Sequence, residues 1–296
     1  MRLLDSNKPF YKGNFHTHTT CSDGRRTPEE AMAIYRRLGY DFLAITDHRM
    51  VTDPGPAPEG LLTIPGIELD FMLETQAVHI LGIGVTPRIV SLYNPNGKPQ
   101  QAINAIHACG GEAILCHPAW SLNTPQTMAS FRGLAAAEVW NSVSTLPYNA
   151  MRADSSSLLD VTSALGQVLP MVANDDTHFY GQEVGKGFTV VQADSLTVPG
   201  VLSALRDGRF YASQGPCFEQ IELTEDELIV TCSPVDTVIF YSSLVWVDDR
   251  ATLRPHQTSA VYTLTHDPRE TFVRCQIIDS EGRSAWSSPV AVRALP

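Results

Sequence analysis

The stretch at residues 42–48 reads FLAITDH, an apolar run of strand length that ends in a carboxylate and an imidazole. Two later stretches share this plan, AILCHP at 113–118 and MVANDDTH at 171–178. In parallel α/β folds the functional side chains lie at the carboxyl ends of the strands, so that ligands far apart in sequence converge on one face. The pattern therefore predicts a parallel sheet with a polar site at its carboxyl edge.

Short apolar strands alternate with helical patterns as far as about residue 210, which predicts an α/β fold with crossover helices. One helix start is well marked, because Thr27, Pro28 and Glu30 combine an N-cap, a proline in the first turn and a capping-box glutamate. The predicted strands are 14–18, 42–47, 62–68, 78–85, 113–117, 137–141, 168–174 and 188–191.

The character of the sequence changes near Pro216. Short alternating runs such as TVIFY at 237–241 and VRCQII at 273–278 are separated by turn residues, and no helical period appears. This pattern favours a small antiparallel β-sandwich. We therefore expect two domains, 1–213 and 214–296.

Composition limits the classes of partner. The chain has a formal net charge of −11 and contains only four lysines, so its surface opposes a nucleic-acid backbone except where bound metals reverse the local charge. The six cysteines form no C-x-x-C pair, which suits reduced thiols, and no stretch approaches the ~20 apolar residues of a membrane span. Residues 1–8 lack the apolar run of a secretory peptide. We expect a cytoplasmic protein without a membrane partner.

Histidines and carboxylates gather at the predicted strand ends. Each motif alone is weak evidence, because surface or core histidines also alternate as His16 and His18 do, and Glu68 is equally an exposed residue or a cap. Their agreement in placement favours a metal site, since these side chains suit Zn²⁺, Mn²⁺ or Fe²⁺ and their burial without metal would leave unpaired charge. The residues concerned are His16, His18, Asp23, Asp47, His48, Glu68, His79, His117, Asp175, Asp176 and His178.

Seven motifs occur in a fixed order: HTH at 16–18, CSDG at 21–24, TDH at 46–48, GIE at 66–68, HILG at 79–82, CHP at 116–118 and DTH at 176–178. Together they resemble the signature of the polymerase-and-histidinol-phosphatase (PHP) superfamily of metal-dependent phosphoesterases. The resemblance implies a distorted (βα)7 TIM-like barrel with two to three divalent transition-metal ions (Zn, Mn or Fe) at the carboxyl ends of its strands. The run at 204–216 is similar to the subgroup with a C-terminal β-domain, which includes phosphoesterase-like proteins and relatives of a carbamate hydrolase.

The resemblance also implies a ligand set for each metal. The first set is His16, His18, Glu68 and Asp176; the second is Glu68, His79 and His117; the third is Asp23, His48 and His178. The remaining histidines match no motif and are expected to bind no metal; they are His107, His256 and His266.

Three arginines are candidates to contact the substrate. Arg25, Arg26 and Arg49 depart from the pattern of many PHP proteins, and a guanidinium suits bidentate binding of phosphate. Solvated side chains that lead into a helix or loop are the equal alternative. Asp47 and Asp175 adjoin ligands in the sequence, so we expect them to orient imidazoles or to protonate the leaving group.

The expected function is hydrolysis of a phosphoester by a metal-bridging hydroxide. The expected substrate is a small phosphorylated metabolite, a phosphomonoester or cyclic phosphodiester of a nucleotide or sugar, rather than long nucleic acid. The irregular stretches 86–99 and 142–157 are candidates to close over it. Hydrolysis of a carbamate, ester or amide on the same metals is one alternative, and a non-catalytic metal-stabilised binding module is another. The exact substrate and the oligomeric state stay open.

Overall fold

Strands dominate the fold over residues 1–292, the part of the chain that the computed structural model describes. The strands are β1 (Arg2–Leu4), β2 (Phe10–Asn14), β3 (Phe42–Ile45), β4 (Leu62–Leu73), β5 (Gln76–Ile83), β6 (Glu112–Leu115), β7 (Leu134–Asn141), β8 (Met171–Asn174), β9 (Phe188–Gln192), β10 (Phe210–Ser213), β11 (Phe218–Leu223), β12 (Glu227–Ser242), β13 (Ala251–Thr263), β14 (Phe272–Ile278), β15 (Ser284–Ser287) and β16 (Val290–Ala291). The helices are α1 (Pro28–Arg37), α2 (Ile89–Leu92), α3 (Pro99–Ala108), α4 (Pro125–Ser130), α5 (Ser156–Ala164) and α6 (Val198–Arg206), with 3-10 turns at Val143–Thr145 and Pro147–Asn149. Over this range, no helix combines the length and the apolar character that crossing a bilayer requires.

The strands form one hydrogen-bonded path in the order β1-β11-β12-β14-β15-β10-β9-β2-β3-β4-β5-β6-β7-β8, with β13 beside β12 and β16 beside β14. The pairs β2–β3, β3–β4, β6–β7 and β7–β8 are parallel. The pairs β4–β5 and β5–β6 are antiparallel, so the predicted parallel sheet is mixed instead. The reason for the first of these pairs is local. Only residues 74 and 75 connect β4 to β5, and so short a connection can return the chain only as a hairpin.

The mixed α/β character that the sequence predicts is confirmed, whereas a closed (βα)7 barrel and a separate C-terminal sandwich are not. Within the described range the path of paired strands ends at β8. A side chain links this strand to β9, because Ala173 N donates to Thr189 Oγ1 at 3.1 Å and the hydroxyl donates back to the Ala173 carbonyl at 3.0 Å. The pairing of β10 with β15 continues the sheet into the predicted second domain, whose last residues, 293–296, lie outside the described range.

The first metal motif follows a strand rather than forming part of one. We predicted a strand over 14–18, but β2 ends at Asn14. The Asn14 side-chain amide donates to the His16 carbonyl at 2.8 Å and to Thr17 Oγ1 at 2.6 Å, and such local bonds compete with a strand ladder. The His16 carbonyl also accepts a hydrogen bond from Asp176 N at 3.0 Å. The HTH and DTH motifs therefore lie side by side.

Two contacts fasten the C-terminal strands to the first part of the chain. Arg274 of β14 is fully buried and pairs with Asp160 of α5 through two hydrogen bonds of 2.6 Å. Trp286 of β15 stacks on Trp140 of β7, with the ring centroids 6.0 Å apart. The C-terminal strands therefore brace α5 and β7, and β7 approaches the site described below.

Candidate metal centre

The motif segments meet at the carboxyl ends of β2, β3, β6 and β8 and along β4 and β5. Two isolated β-bridges connect them, Thr17 with Thr177 and His48 with Glu68. The structure brings all nine candidate ligands together: His16, His18, Asp23, His48, Glu68, His79, His117, Asp176 and His178.

The deepest part of this cluster surrounds one oxygen each of Glu68 and Asp176. Glu68 Oε2 lies 3.2 Å from His16 Nε2 and 3.0 Å from His18 Nε2. Asp176 Oδ1 lies 3.1 Å from each of the same two nitrogens. All four atoms are buried, and none forms a hydrogen bond of acceptable geometry with another described residue. A cation among them would satisfy all four, so these side chains fit a metal ion.

A second group shares Glu68. Its other oxygen, Oε1, lies 2.8 Å from His79 Nδ1 and 3.5 Å from His117 Nε2. Proximity also places Cys116 beside Glu68 and His117. We favour His79 over Cys116 as a ligand, because His79 Nδ1 contacts the shared Glu68 carboxylate directly, whereas burial raises the pKa of the Cys116 thiol well above its usual range.

The third group lies at the rim of the cluster. Asp23 Oδ2 is 3.6 Å from His48 Nε2 and 3.5 Å from His178 Nε2. The other Asp23 oxygen is 3.7 Å from His18 Nδ1, so the two ring nitrogens of His18 face different groups. The Asp23 side chain is 55% exposed, against 1% for Glu68. The carboxylate of the rim group is thus far more exposed to solvent than the carboxylate that the other two groups share.

The ionisable groups of the cluster shift one another strongly. Burial opposes the charged form of His16, but the nearby carboxylates, that of Asp176 first, outweigh it and raise the pKa of His16 well above its usual range. Against the same opposing effect of burial, Asp23 and Asp176 raise the pKa of His178 to about 9. The imidazoles overcome burial in turn and lower the pKa of Asp23 to about 2 and that of Glu68 well below its usual range. Divalent cations can replace the protons that balance these carboxylates.

Glu138 is a supporting residue that the sequence analysis missed. Its buried carboxylate accepts hydrogen bonds from His16 Nδ1 at 2.9 Å and from His117 N at 2.8 Å. The side-chain amides of Asn141 and Asn174 donate to it at 2.8 and 2.9 Å. A carboxylate in this position fixes the tautomer of an imidazole and turns Nε2 towards a metal. The one feature of the sequence that could have pointed to Glu138 is that it is the only charged residue in the largely apolar strand β7.

Two further polar side chains form hydrogen bonds with candidate ligands. Asn141 donates to Asp176 Oδ2 at 3.1 Å, and Ser121 Oγ lies 2.8 Å from His117 Nδ1. His117 and Asp176 have positive φ angles of 29° and 52°. Side chains other than glycine rarely adopt such angles, which persist where the surroundings impose them.

Asp47 holds a loop rather than an imidazole. Its buried carboxylate accepts hydrogen bonds from Thr19 N and from the hydroxyl groups of Thr19, Ser22 and Thr52. Among the contacts described for residues 1–292, none joins it to an imidazole of the cluster. Since Ser22 precedes Asp23, this carboxylate positions the CSDG motif and, through it, the rim group.

Asp175 has a similar task on another loop. It accepts hydrogen bonds from the Tyr35 hydroxyl and from the backbone N–H groups of Gly185, Lys186 and Gly187. Burial raises the pKa of Asp175 to about 6, although these hydrogen bonds oppose the shift. The predicted contact between Asp175 and an imidazole is not found in the described part of the chain. The carboxylate instead accepts hydrogen bonds from the backbone of the loop at 185–187.

The three candidate arginines lie in different surroundings. Arg49 does not line the cavity described next, and its guanidinium pairs with Asp70 through Nε–Oδ1 and Nη2–Oδ2 contacts of 2.7 and 2.6 Å. Arg26 is exposed and does not line the cavity described next. Arg25 lies with its guanidinium carbon 4.8 Å from the Phe179 ring centroid, and Phe179 does line that cavity.

A cavity of about 260 Å³ opens beside the ligands. Its lining comprises six candidate ligands and, in addition, Trp120, Val143, Ser144, Tyr148, Asn149 and Phe179. Four of these additional residues come from the predicted loop 142–157. Among the described residues, the predicted loop 86–99 contributes none. A small molecule bound here would contact the metal ligands and this loop together.

Comparison with known proteins finds sequence similarity over part of the chain. No family model matches the chain. A segment is 38% identical over 81 residues to the 5'-3' exoribonuclease Rnm of Escherichia coli (strain K12), covering 24% of this chain and 27% of that protein. The Rnm of Salmonella typhimurium (strain LT2) is 37% identical over an equal length. The chain thus matches only about a quarter of the length of these curated relatives.

Similarity of fold extends over almost the whole molecule. A two-domain protein from Bacteroides vulgatus ATCC 8482, described as containing a predicted PHP-like metal-dependent phosphoesterase, aligns with a TM-score of 0.54 and 17% identity, over 92% of this chain and 90% of that one. The predicted resemblance to PHP-like phosphoesterases is confirmed for the fold. The exoribonuclease relatives do not support the expectation that long nucleic acid is excluded.

Proposed function

We propose that the chain is a metal-dependent phosphoesterase that hydrolyses a small phosphorylated metabolite, a phosphomonoester or cyclic phosphodiester of a nucleotide or sugar. The observation that carries this proposal is the convergence of nine imidazole and carboxylate side chains in one cluster, six of which line the adjacent cavity. The buried atoms His16 Nε2, His18 Nε2, Glu68 Oε2 and Asp176 Oδ1 need a partner that a cation would provide. The fold shared with a PHP-like phosphoesterase favours phosphoester chemistry.

The three groups described above are the proposed sites of two to three Zn, Mn or Fe ions. His16, His18, Glu68 and Asp176 hold the first, Glu68, His79 and His117 the second, and Asp23, His48 and His178 the third. Such ions, when bound, polarise the phosphoryl group and activate the attacking water. All nine residues precede residue 214. We therefore assign catalysis to residues 1–213 and an accessory role to residues 214–296.

The protein's own residues orient these ligands and the substrate. Glu138 accepts a hydrogen bond from Nδ1 of His16, and Ser121 Oγ forms a hydrogen bond with Nδ1 of His117, so that both Nε2 atoms face the cluster. Arg25 does not line the cavity but lies over the ring of Phe179, which does, and we propose that its guanidinium binds a phosphate oxygen of the substrate from this position. Arg49 is the weaker candidate for this role, because Asp70 already occupies its guanidinium.

Two observations support a small substrate. The cavity of about 260 Å³ lies just below the usual range for small-molecule sites, roughly 300–1,000 Å³. The net charge of −11 also repels a polyanion everywhere except at the metals. Cleavage at an RNA end is the second candidate, because the related segment of 81 residues belongs to an exoribonuclease.

The test compares kcat/KM on one Mn²⁺-loaded preparation for nucleotide and sugar monophosphates, a cyclic phosphodiester, a single-stranded oligoribonucleotide and a carbamate ester. We expect a small phosphoester to be hydrolysed fastest, and a Glu68→Gln preparation guards against a contaminating phosphatase. An advantage of roughly tenfold for the oligoribonucleotide, about 1.4 kcal/mol in the barrier, would favour the second candidate. The same advantage for the carbamate would reject phosphoester hydrolysis. Metal binding without turnover of any substrate would indicate a binding module.

A further inference from the structure

Three aromatic side chains share the cavity with the metal ligands and have no part in the chemistry assigned above. They are Trp120, Tyr148 and Phe179. An aromatic side chain that contributes only to a hydrophobic core is covered by its neighbours, whereas none of these three is buried. Tyr148 is 67% exposed. Their ring surfaces are therefore available to a bound molecule.

Trp120 is fixed directly against two ligands. Its ring centroid lies 4.9 Å from that of His117 and 5.8 Å from that of His79, both in edge-on arrangements. The backbone on either side is tied down, because Ala119 N donates to Ser155 Oγ and Ser121 N to the His117 carbonyl, both at 3.0 Å. The indole is thus a rigid surface next to the reacting centre.

Phe179 and Tyr148 provide aromatic surface from two other segments. Their rings meet edge to face with centroids 5.7 Å apart. Phe179 directly follows the ligand His178, and its backbone N–H donates to the buried Glu183 carboxylate at 2.7 Å. The Arg25 guanidinium lies over the Phe179 ring. The pair therefore combines aromatic surface with a cation that a phosphate or an electron-rich ring can contact.

We propose that Trp120, Tyr148 and Phe179 form a subsite for a planar aromatic ring, so that preferred substrates carry such a ring close to the scissile ester. The inference rests on the proposed function, because it places the ester on the metals. Stacking of a flat ring on aromatic side chains depends on π-faces and not on a particular pattern of hydrogen bonds. A sugar phosphate without such a ring would leave these surfaces in contact with water.

The volume sets the scale of the ring. A cavity of about 260 Å³ has room for a reacting group and one ring system rather than several stacked bases. Nucleobases and simple aryl groups share this flat chemistry. The experiment must therefore separate these two sources.

Binding of paired phosphonates to the Mn²⁺-loaded protein, measured by isothermal titration calorimetry, tests the subsite without hydrolysis. One pair is naphthylmethylphosphonate and its saturated decahydronaphthyl counterpart. The other pair consists of the phosphonate analogues of a nucleoside 5′-monophosphate and of ribose 5-phosphate. We expect the aromatic member of at least one pair to bind roughly tenfold tighter. Tighter binding of the aromatic member in the naphthyl pair alone would indicate that the substrate is an aryl ester. Tighter binding in the nucleoside pair alone would indicate that the ring is a nucleobase. Either result supports the subsite.

Substitutions of the three aromatic residues test whether they cause the tighter binding of the aromatic ligand. Trp120→Leu and Phe179→Leu should each remove most of this difference in affinity while changing the affinity for the saturated ligand by less than about twofold. Tyr148→Leu should act in the same direction, and the exposure of Tyr148 protects this variant from misfolding. Trp246→Leu is the matched control, because Trp246 is 78% exposed and lies outside the cavity. Metal analysis shows whether each variant retains its ions.

Equal binding within both pairs, with hydrolysis of small esters intact, overturns the subsite alone. Equal loss of both members in the variants also overturns it, because the rings would then only support His117 and His178. If no phosphonate binds and no ester is hydrolysed, the proposed function fails together with the subsite.

Discussion

The ligands around Glu68 and Asp176 lie at the closed end of the cluster, whereas Asp23, His48 and His178 lie at its open rim. The two groups differ in the solvent exposure of their carboxylates. The side chains of Glu68 and Asp176 are 1% and 7% exposed, whereas that of Asp23 is 55% exposed. The deep group is supported from strand β7, which carries Glu138 and Asn141. Neighbouring strands leave such residues few alternative positions.

The rim group is supported by loops. Asp47 holds the turn before Asp23 through the backbone N–H of Thr19 and the hydroxyl groups of Thr19 and Ser22, and it also accepts a hydrogen bond from the Thr52 hydroxyl. Glu183 gathers the turn after His178 and accepts hydrogen bonds from Phe179 N, Tyr180 N and Gly181 N. Loops open locally more readily than paired strands. On the proposed ligand sets, we therefore expect two tightly held deep ions and one rim ion that exchanges more easily.

Glu68→Gln should have the largest effect, because this residue faces both deep groups and a neutral amide cannot bridge two cations. We expect the deep ions to be lost and kcat/KM to fall by about 1,000-fold or more, equivalent to ~4 kcal/mol. Metal analysis and phosphate release measure the two quantities. Glu74→Gln, at the exposed hairpin turn that ends the same strand, is the control. Unchanged metal content in Glu68→Gln would remove the basis for a shared bridging ligand.

Glu138→Gln should weaken the deep sites without touching the rim. Loss of the carboxylate that orients His16 is expected to lower deep-site metal affinity roughly 10- to 100-fold, as for other residues behind metal ligands. Competition with a chelator of known affinity measures the change. If the rim ion weakened as much as the deep ions, the division into two separately supported groups would be wrong.

Asp23→Asn should have a smaller effect, confined to the rim. The rim ion loses its only proposed carboxylate ligand, while Glu68 and Asp176 keep the deep ions. We expect one ion fewer per chain and a loss of activity of about tenfold. During stepwise chelation of the unaltered protein, the first ion to leave should be the one that Asp23→Asn lacks. Loss of all ions in this variant would show that the rim is required to assemble the whole centre.

The sequence indicated which side chains would meet, because metal-binding chemistry restricts ligands to a few residue types and the carboxyl ends of strands bring them to one edge. The structure places all nine candidates in the cluster, and their role as ligands stays a proposal. Strands β3 and β4 begin where predicted, at residues 42 and 62. The capping box at Thr27 and Glu30 is also found as predicted.

The supporting contacts could not be read from the sequence, because they depend on which strands lie side by side. Glu138 reaches His16 across 122 positions of sequence, and no local pattern announces that meeting. Asp70, which occupies the Arg49 guanidinium, lies 21 positions away on a neighbouring strand. Asp47 and Asp175 adjoin ligands in the chain, yet their carboxylates point into loops. Adjacency in sequence was therefore a poor guide to contact.

The pH dependence of rim-metal affinity provides the gentlest test of the comparison. Asp23 and Asp176 raise the pKa of His178 to about 9 despite burial, so this imidazole carries a proton near neutral pH, whereas a ligating imidazole must be neutral. Binding of a metal ion at the rim should therefore release a proton, and the affinity for this ion should rise with pH by at most about tenfold per unit until the pKa is passed.

Calorimetric titration of Mn²⁺ into protein whose deep sites are already filled, in two buffers of different ionisation enthalpy, measures the number of protons released. His256→Ala, in the C-terminal strands, is the control and should leave the count unchanged. An affinity that stays constant between pH 7 and pH 9 would mean that His178 is not a rim ligand or is already neutral when the deep sites are filled.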